Sequence, residues 1–383
     1  MFTSNINFLN FDIKKKLPIV KKNLKLILKE NNQVILSLSK SYENSFNNKT
    51  LNYFKKKLDY RIIGMGGSTL GAHAIYDFLK NKVKKNFTFI NNLQVIKNKN
   101  MQKKNNLIIS KSGNTIDTIV NANILLKKGD KNLFITENKK SYLRQIANNL
   151  KAEVVDHNNF IGGRYSVLSE VGMLPAELMG LSSKNFRQLN NLVKNKAFMS
   201  ALVSNVESII FFIKAKKFNS IIINYDEKST NLFNWYQQLV AESLGKNKTG
   251  LLPVISLMPK DNHSVMQLYL DGFKNNFFTF FYVKEDSSTK INSSKILQEK
   301  NFLKNKNINE IIYAQKKATE NVFRKNNIPF RSFEIKKRDE KTLGELFCFF
   351  ILETILVGKA LKINPFDQPA VELIKKETKK ILI

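Results

Sequence analysis

Short apolar runs that end in glycine, serine or threonine and then turn helical recur along this chain, and this rhythm restricts the fold more than any other feature. Arg61-Ile62-Ile63 leads into Gly64-Met65-Gly66-Gly67-Ser68-Thr69-Leu70-Gly71 and a helical run from Ala72 to Lys80. Leu107-Ile108-Ile109 leads into Ser110-Lys111-Ser112-Gly113-Asn114-Thr115 and a helix from Ile116 to Leu126. Strands are expected near Arg61–Gly64, Phe87–Ile90, Leu107–Ser110, Leu133–Thr136 and Val154–Asp156. After a helical bridge over residues 184–216, a second round has strands at Ser220–Asn224, Leu252–Ser256, Phe277–Val283 and Ile328–Ile335. Strands separated by helices build an α/β fold, a doubly wound parallel sheet whose ligands bind beyond the carboxyl ends of the strands. At 383 residues the chain is too long for one ordinary domain and suits two. The expected division is a helical N-terminal segment over 1–45, a first domain over 46–183, linker helices and a second domain over 184–362, and a C-terminal helix within 363–383. Asp286 to Ser294 is polar and reads as a surface loop.

The two glycine turns suggest an anion. Strand, glycine turn and helix together aim backbone N–H groups and a helix N-terminus at negative charge. The first turn is neither a dinucleotide fingerprint nor a Walker loop, because its third glycine is misplaced and no Lys-Ser/Thr follows. By itself it supports a phosphate or a tight turn about equally. The second offers the hydroxyls of Ser110, Ser112 and Thr115 at the mouth of a helix, which suits a phosphate monoester and needs no metal. The Lys111 backbone N–H is a further donor. Ordinary capping needs one hydroxyl; three, with a lysine and a glycine in six residues, favour an anion site.

Chemistry points to residues 234–246, Asn-Trp-Tyr-Gln-Gln-Leu-Val-Ala-Glu-Ser-Leu-Gly-Lys. Leu232, Trp235, Leu239 and Leu244 fall at roughly helical spacing, and Gly245 marks the end. A gap of four puts the amide of Gln238 and the carboxylate of Glu242 on one helical face. A carboxylate there can serve as a proton-transfer base. A lone Glu on a helix is more often a solvated one, so the case rests on what accompanies it.

Charge and cysteine content narrow the class. The net charge of +32 would suit a nucleic-acid or anionic-membrane binder. Its lysines, however, are scattered along nearly every polar face, as in Lys14-Lys15-Lys16, Lys55-Lys56-Lys57 and Lys375-Lys376. No zinc-finger spacing or basic helix with interleaved aromatics appears. The charge reads as a solvated surface that also attracts an anionic substrate, with no nucleic acid and no membrane as partner. Leu346 to Val357 is apolar but short of the ~20 residues of a membrane span. No secretory leader is visible, and the single cysteine, Cys348, allows no internal disulfide and fits a reducing cytoplasm. His73, His157 and His263 have no metal-ligand spacing.

The two turns, Gly162-Gly163-Arg164-Tyr165-Ser166, Gln237-Gln238 followed by Glu242-Ser243-Leu244-Gly245-Lys246, and Phe366-Asp367-Gln368 occur in an order that resembles glucose-6-phosphate isomerases, from about residue 60 to the C-terminus. The glycine turns are shared by many sugar isomerase (SIS) domains; the Gly-Gly-Arg-Tyr-Ser and Glu-Ser-x-Gly-Lys segments are more specific. The resemblance is to the compact bacterial forms, since Ser110-Lys111-Ser112-Gly113-Asn114-Thr115 departs from the phosphate loop of the long forms. It implies two SIS-type domains and an aldose–ketose isomerisation of glycolysis and gluconeogenesis, without cofactor or metal. On the same resemblance, Glu242 moves a proton between C2 and C1, Arg164 balances an enediolate, and His263 and Lys375 assist ring opening. The phosphate rests on Ser68, Ser110, Lys111, Ser112 and Thr115 around the turn glycines Gly66 and Gly67, while Gln238 and Gln368 complete the substrate contacts. The resemblance also implies a homodimer that shares His263 between subunits, with a closing helix carrying Lys375 back to the site. Alternatives are a bifunctional phosphoglucose/phosphomannose isomerase, in which Thr tends to replace Gln238, and a non-catalytic sugar-phosphate regulator. The isomerase half of glucosamine-6-phosphate synthase would need a glutaminase domain with an N-terminal Cys.

Overall fold

A computed structural model describes residues 2–13, 15–93, 104–285, 287–296 and 298–383. Lys14, and Asp286 at the head of the polar stretch, lie outside the described residues. The first sheet contains β2 (Asp59–Gly64), β3 (Asn86–Ile90), β4 (Asn105–Ile109), β5 (Lys131–Thr136) and β6 (Glu153–Asp156) in the order β3-β2-β4-β5-β6, all parallel. The second contains β7 (Asn219–Asn224), β8 (Leu252–Leu257), β9 (Asn276–Val283) and β10 (Phe330–Ile335), with β1 (Ile6–Leu9) at one edge, in the order β1-β10-β9-β7-β8. All pairings there are parallel except β1 with β10. The expected fold class, two parallel-sheet α/β units with flanking helices, is what the chain forms.

The N-terminal stretch, expected to be helical, is so at Pro18–Ile27 and Gln33–Ser37, but Ile6–Leu9 is a strand. Its short antiparallel pairing places Ile6 opposite Ile335 and Phe8 opposite Phe333, where Phe2, Phe8, Phe333 and Phe349 form an aromatic cluster. Central strands lie beneath helices on both faces and so read as unbroken apolar runs; all eight residues of β9 are buried.

Helix Glu340–Ala360, capped by Asp339 through Thr342 N (2.8 Å), buries 17 of its 21 residues. Cys348 is part of that core, and burial pushes its thiol up to about 12, consistent with a packing role. Against this helix lies Lys196–Lys214, the one described helix long and apolar enough to cross a membrane; 10 of its 19 residues are buried inside the protein. Between them Arg331, fully buried, donates to Thr279 (2.9 Å), Asn205 (2.8 Å) and Tyr236 (3.2 Å) and pairs with Glu353.

Each sheet reverses strand order next to its first strand, between β2 and β4 in one and between β7 and β9 in the other. Such reversals open crevices at the carboxyl ends of strands. The first crevice has Gly64–Gly71 and Ser110–Thr115 at its mouth. The second is occupied by the chain's own Arg338, which bridges Asp226 (2.8 Å) after β7 and Glu285 (2.7 Å) after β9. The helices that follow β2 and β7, Leu70–Phe78 and Thr230–Leu244, pack against each other and join the two units; Asn231 Nδ2 donates to Asp77 Oδ2 at 2.5 Å across the joint.

Candidate active site

The joint between the units brings the two motif residues of helix Thr230–Leu244 to a buried arginine. Gln238 Nε2 donates to Glu242 Oε2 at 3.0 Å, as the four-residue spacing requires. Gln238 Oε1 is buried and unpartnered among the described residues, an unmet acceptor of the kind a bound hydroxyl satisfies. Glu242 Oε1 faces Arg164 Nη1 at 3.3 Å; the carboxylate is 22% exposed and the guanidinium side chain 1%. Glu170, the local carboxylate that a surface Arg164 would have sought, is instead buried and accepts from Tyr42 OH (2.9 Å) and Asn158 N (2.6 Å).

Arg164 sits in the 3-10 turn Gly163–Leu168 with all its nitrogens occupied. Nε donates to Ser243 Oγ (2.8 Å), Nη1 to Gln368 Oε1 (2.7 Å), and Nη2 to the carbonyls of Pro365 (2.7 Å) and Asp367 (3.0 Å). Tyr165 OH donates to Pro365 O at 3.0 Å, so Ser243 is the donor in its 2.8 Å contact with Tyr165. Burial pushes the Tyr165 hydroxyl up, which keeps its proton for that bond. Trp235 Nε1 holds the Arg164 carbonyl at 3.1 Å. A guanidinium bound on all sides cannot swing, so its charge stays fixed beside Glu242.

The turn glycines permit close approach of loops. Gly66 has φ +52°, and a Cβ there would sit 2.7 Å from Gln238 Nε2. A Cβ on Gly67 would sit 2.1 Å from the Gly163 carbonyl carbon. The first turn is thus seated directly on the Arg164 turn and on Gln238, which any side chain would prevent. In the second turn, Ser110 and Thr115 hydroxyls pair at 2.9 Å, and Ser112 Oγ accepts from Asn114 N at 3.2 Å. Thr115 occupies the N-cap position of helix Ile116–Leu125, yet its hydroxyl makes no capping bond. Lys111 Nζ turns away to the Asn159 carbonyl (2.8 Å). The Ser68 hydroxyl makes no hydrogen bond to the described residues.

Two expected site residues are not brought to this group within one chain. His263 lies exposed in the 3-10 turn Lys260–His263, ahead of helix Met266–Asp271. Lys375 pairs with Glu372 (2.6 Å) on helix Val371–Leu382, and that helix is exposed along its whole length. Expected to return to the site, it instead leaves its apolar Ile374, Ile381 and Leu382 70–84% exposed, with no surface among the described residues covering them. The segment that does return is the strap Asn364–Gln368 before it. Sequence reading assigned no role to Ser243, Tyr165, Trp235 or Lys246. Ser243, Tyr165 and Lys246 stand inside the quoted motifs, but their partners are far away in the chain. His73 and His157 pack within the fold: His73 stacks on Phe89 (4.0 Å between centroids) and His157 is 3% exposed. Burial draws both imidazoles below their ordinary value.

A cavity of ≈ 700 Å³ opens over this cluster, lined by Glu242, Lys246, Thr249, Asp367, Gln368 and Ala370 among others. A larger one of ≈ 990 Å³ lies between helices Pro18–Ile27 and Lys196–Lys214. Its single carboxylate, Glu207, is bound to Leu17 N–H at 2.8 Å, so chemistry favours the smaller cavity.

Comparisons with known proteins identify the family. A family model described as phosphoglucose isomerase matches residues 40–383. A glucose-6-phosphate isomerase of Methanocaldococcus jannaschii is 32% identical over 354 residues, covering 87% of this chain and 86% of that protein. One from Mycoplasmopsis pulmonis is 33% identical over 371 residues, covering 87% and 85%. Among solved structures, a hypothetical protein from Thermus thermophilus has a TM-score of 0.82 at 22% identity over 95% of each chain. A glucose-6-phosphate isomerase from Chlamydia trachomatis has 0.72 at 16%, covering 98% of this chain and 80% of that one. These two likenesses concern the fold. The sequence match runs through every segment that builds the Glu242–Arg164 pocket, and by it the chain belongs to the phosphoglucose isomerase family.

Proposed function

We propose that the chain interconverts glucose 6-phosphate and fructose 6-phosphate, in glycolysis and gluconeogenesis in the cytoplasm. The observation that carries this reading is Glu242, which lines the cavity together with Gln368 and has the buried Arg164 guanidinium 3.3 Å behind it. Glu242 removes the proton from C2 of the opened sugar and returns it to C1 through a cis-enediol. In the resting site the negative charge is on Glu242. Once the carboxyl takes the proton, that charge is on the enediolate, and the fixed guanidinium balances it there. A counter-ion that need not move as charge develops is the preorganised arrangement that lowers such barriers. The unmet Gln238 acceptor suits a sugar hydroxyl. Ser68, Ser110, Lys111 N–H, Ser112 and Thr115 hold the phosphate; the absence of a capping bond from Thr115 supports that use. Gln238, standing where phosphomannose-active relatives tend to carry Thr, favours glucose 6-phosphate.

A coupled assay with fructose 6-phosphate in excess EDTA tests the reading. Activity at an undiminished rate is expected; its loss with chelator and rescue by a divalent metal would refute the metal-free chemistry. Replacing both Ser110 and Thr115 with Ala should raise KM more than it lowers kcat, because phosphate contacts are made equally in ground and transition states. If these hydroxyls serve only each other through their 2.9 Å bond, KM will hold and stability will fall by about 1 kcal/mol.

Ring opening falls to His263, supplied by the neighbouring subunit of a homodimer; Lys375, exposed and paired with Glu372 in the single chain, joins it only if helix Val371–Leu382 packs back over the site. The exposure of His263 in the single chain suits a residue that works across an interface. Mixing inactive Glu242→Gln and His263→Ala chains under subunit exchange should restore activity at one site per mixed dimer. That site keeps its own Glu242 and borrows an intact His263. If His263 acts within its own chain, every site retains one lesion and mixing restores nothing.

A further inference from the structure

We infer that Lys246, the last residue of the Glu-Ser-x-Gly-Lys motif, is a positioning residue that fixes Arg164 by anchoring the strap Asn364–Gln368. The inference rests on the isomerase reading of Glu242 and Arg164. Lys246 Nζ pairs with Asp367 Oδ1 at 2.7 Å and donates to the Asn364 carbonyl. It thereby grips the strap at both ends of its bend, which Asn364 Nδ2 closes internally on Asp367 Oδ2 at 2.9 Å. The same strap delivers three of the acceptors that hold Arg164: the carbonyls of Pro365 and Asp367 and the side chain of Gln368. Ser243, three residues before Lys246 and next to Glu242, holds the opposite edge of the guanidinium at Nε. One helix end therefore carries the base, one clamp on Arg164 and the anchor for the other clamp.

The pair is formed at the rim of the cavity. Lys246 is 12% exposed and Asp367 53%, and Lys246 holds the Asp367 carboxyl below the usual carboxylate range. The carboxylate half of the pair is open to solvent, which limits what the pair adds to stability, so its loss should cost the fold little while freeing the strap. Lys246 also lines the cavity, which raises a different role, direct contact with the substrate. The two roles predict different kinetics. A substrate contact made equally in ground and transition states shows in KM, whereas misplacing Arg164 shows in kcat.

The test is a double-mutant cycle on Lys246→Met and Asp367→Ala, with kcat and KM measured separately and amide hydrogen exchange followed over residues 364–370. Each single variant should lose about 10–100-fold in kcat, the range expected when a catalytic group is displaced by about 1 Å. KM and the melting temperature should stay near wild type. The double variant should lose less than the two single losses combined, because both break the Lys246–Asp367 contact while each also gives up its own bond to Asn364, and exchange in the strap should quicken in all three. Lys246→Arg should recover most of the rate. A raised KM in Lys246→Met with Asp367→Ala silent would overturn the inference in favour of a substrate contact. Additive losses, or a strap whose exchange is unchanged, would overturn it as well. If the wild-type chain has no isomerase activity, the functional reading fails on its own, and hydrogen exchange still decides whether Lys246 anchors the strap.

Discussion

Glu242→Gln should lower turnover by at least about 10²–10⁴-fold, the contribution of a positioned general base, while substrate binding stays similar. The replacement keeps the shape of the side chain and an oxygen to accept from Gln238. It removes only the ability to take a proton and the charge facing Arg164. Arg164 does not lose its place, since Ser243, Gln368, Pro365 and Asp367 still hold it. The variant should therefore fold, bind fructose 6-phosphate and fail to convert it, as read by a coupled assay beside a binding titration. A near wild-type rate would end the assignment of Glu242.

The largest effect on stability should come from Glu353→Ala. Glu353 is 2% exposed and faces Arg331, which is fully buried and surrounded by Thr279, Asn205 and Tyr236. Removing the carboxylate leaves a guanidinium without its counter-charge where water cannot reach it, a change that typically costs about 3–5 kcal/mol. Replacing both partners by apolar residues, Arg331→Met with Glu353→Leu, should recover most of that loss, because no charge then remains buried. Denaturant melts of the three chains under one condition decide the matter. A single variant within about 1 kcal/mol of wild type would show that the hub relaxes or admits water.

The strands and turns were legible because their signals are local. Nine strands announced themselves as apolar runs bounded by turn residues, and Gln238 with Glu242 followed from a helical spacing of four. The exception, β1, is four residues long and becomes a strand only because Phe330–Ile335 offers it an edge. Nothing near Ile6 in the sequence indicates that edge. The site shows the same division. Arg164 could be named from the motif Gly162-Gly163-Arg164-Tyr165-Ser166 and its resemblance, but the bond that best displays its setting, to Gln368, spans 204 positions. Ser243 and Lys246 were visible letters in a motif without a meaning until the strap was seen against them. The terminal helix was expected at the site on resemblance alone, and a helix can bury an apolar stripe only where a surface exists to receive it.

The pairing of β1 with β10 also bears on how the chain is made. A ribosome releases Ile6–Leu9 early and Phe330–Ile335 only after some three hundred further residues. At roughly 5–20 residues per second, that separation is on the order of tens of seconds. For this interval the first strand has no mate, while the sheet over 59–156 already has all five of its strands. Synthesis therefore favours completing the sheet over 59–156 first. The second sheet closes only when Ile6–Leu9 is recaptured by Phe330–Ile335, and until then the Phe8 side chain is a surface that a nascent-chain chaperone would have to shield.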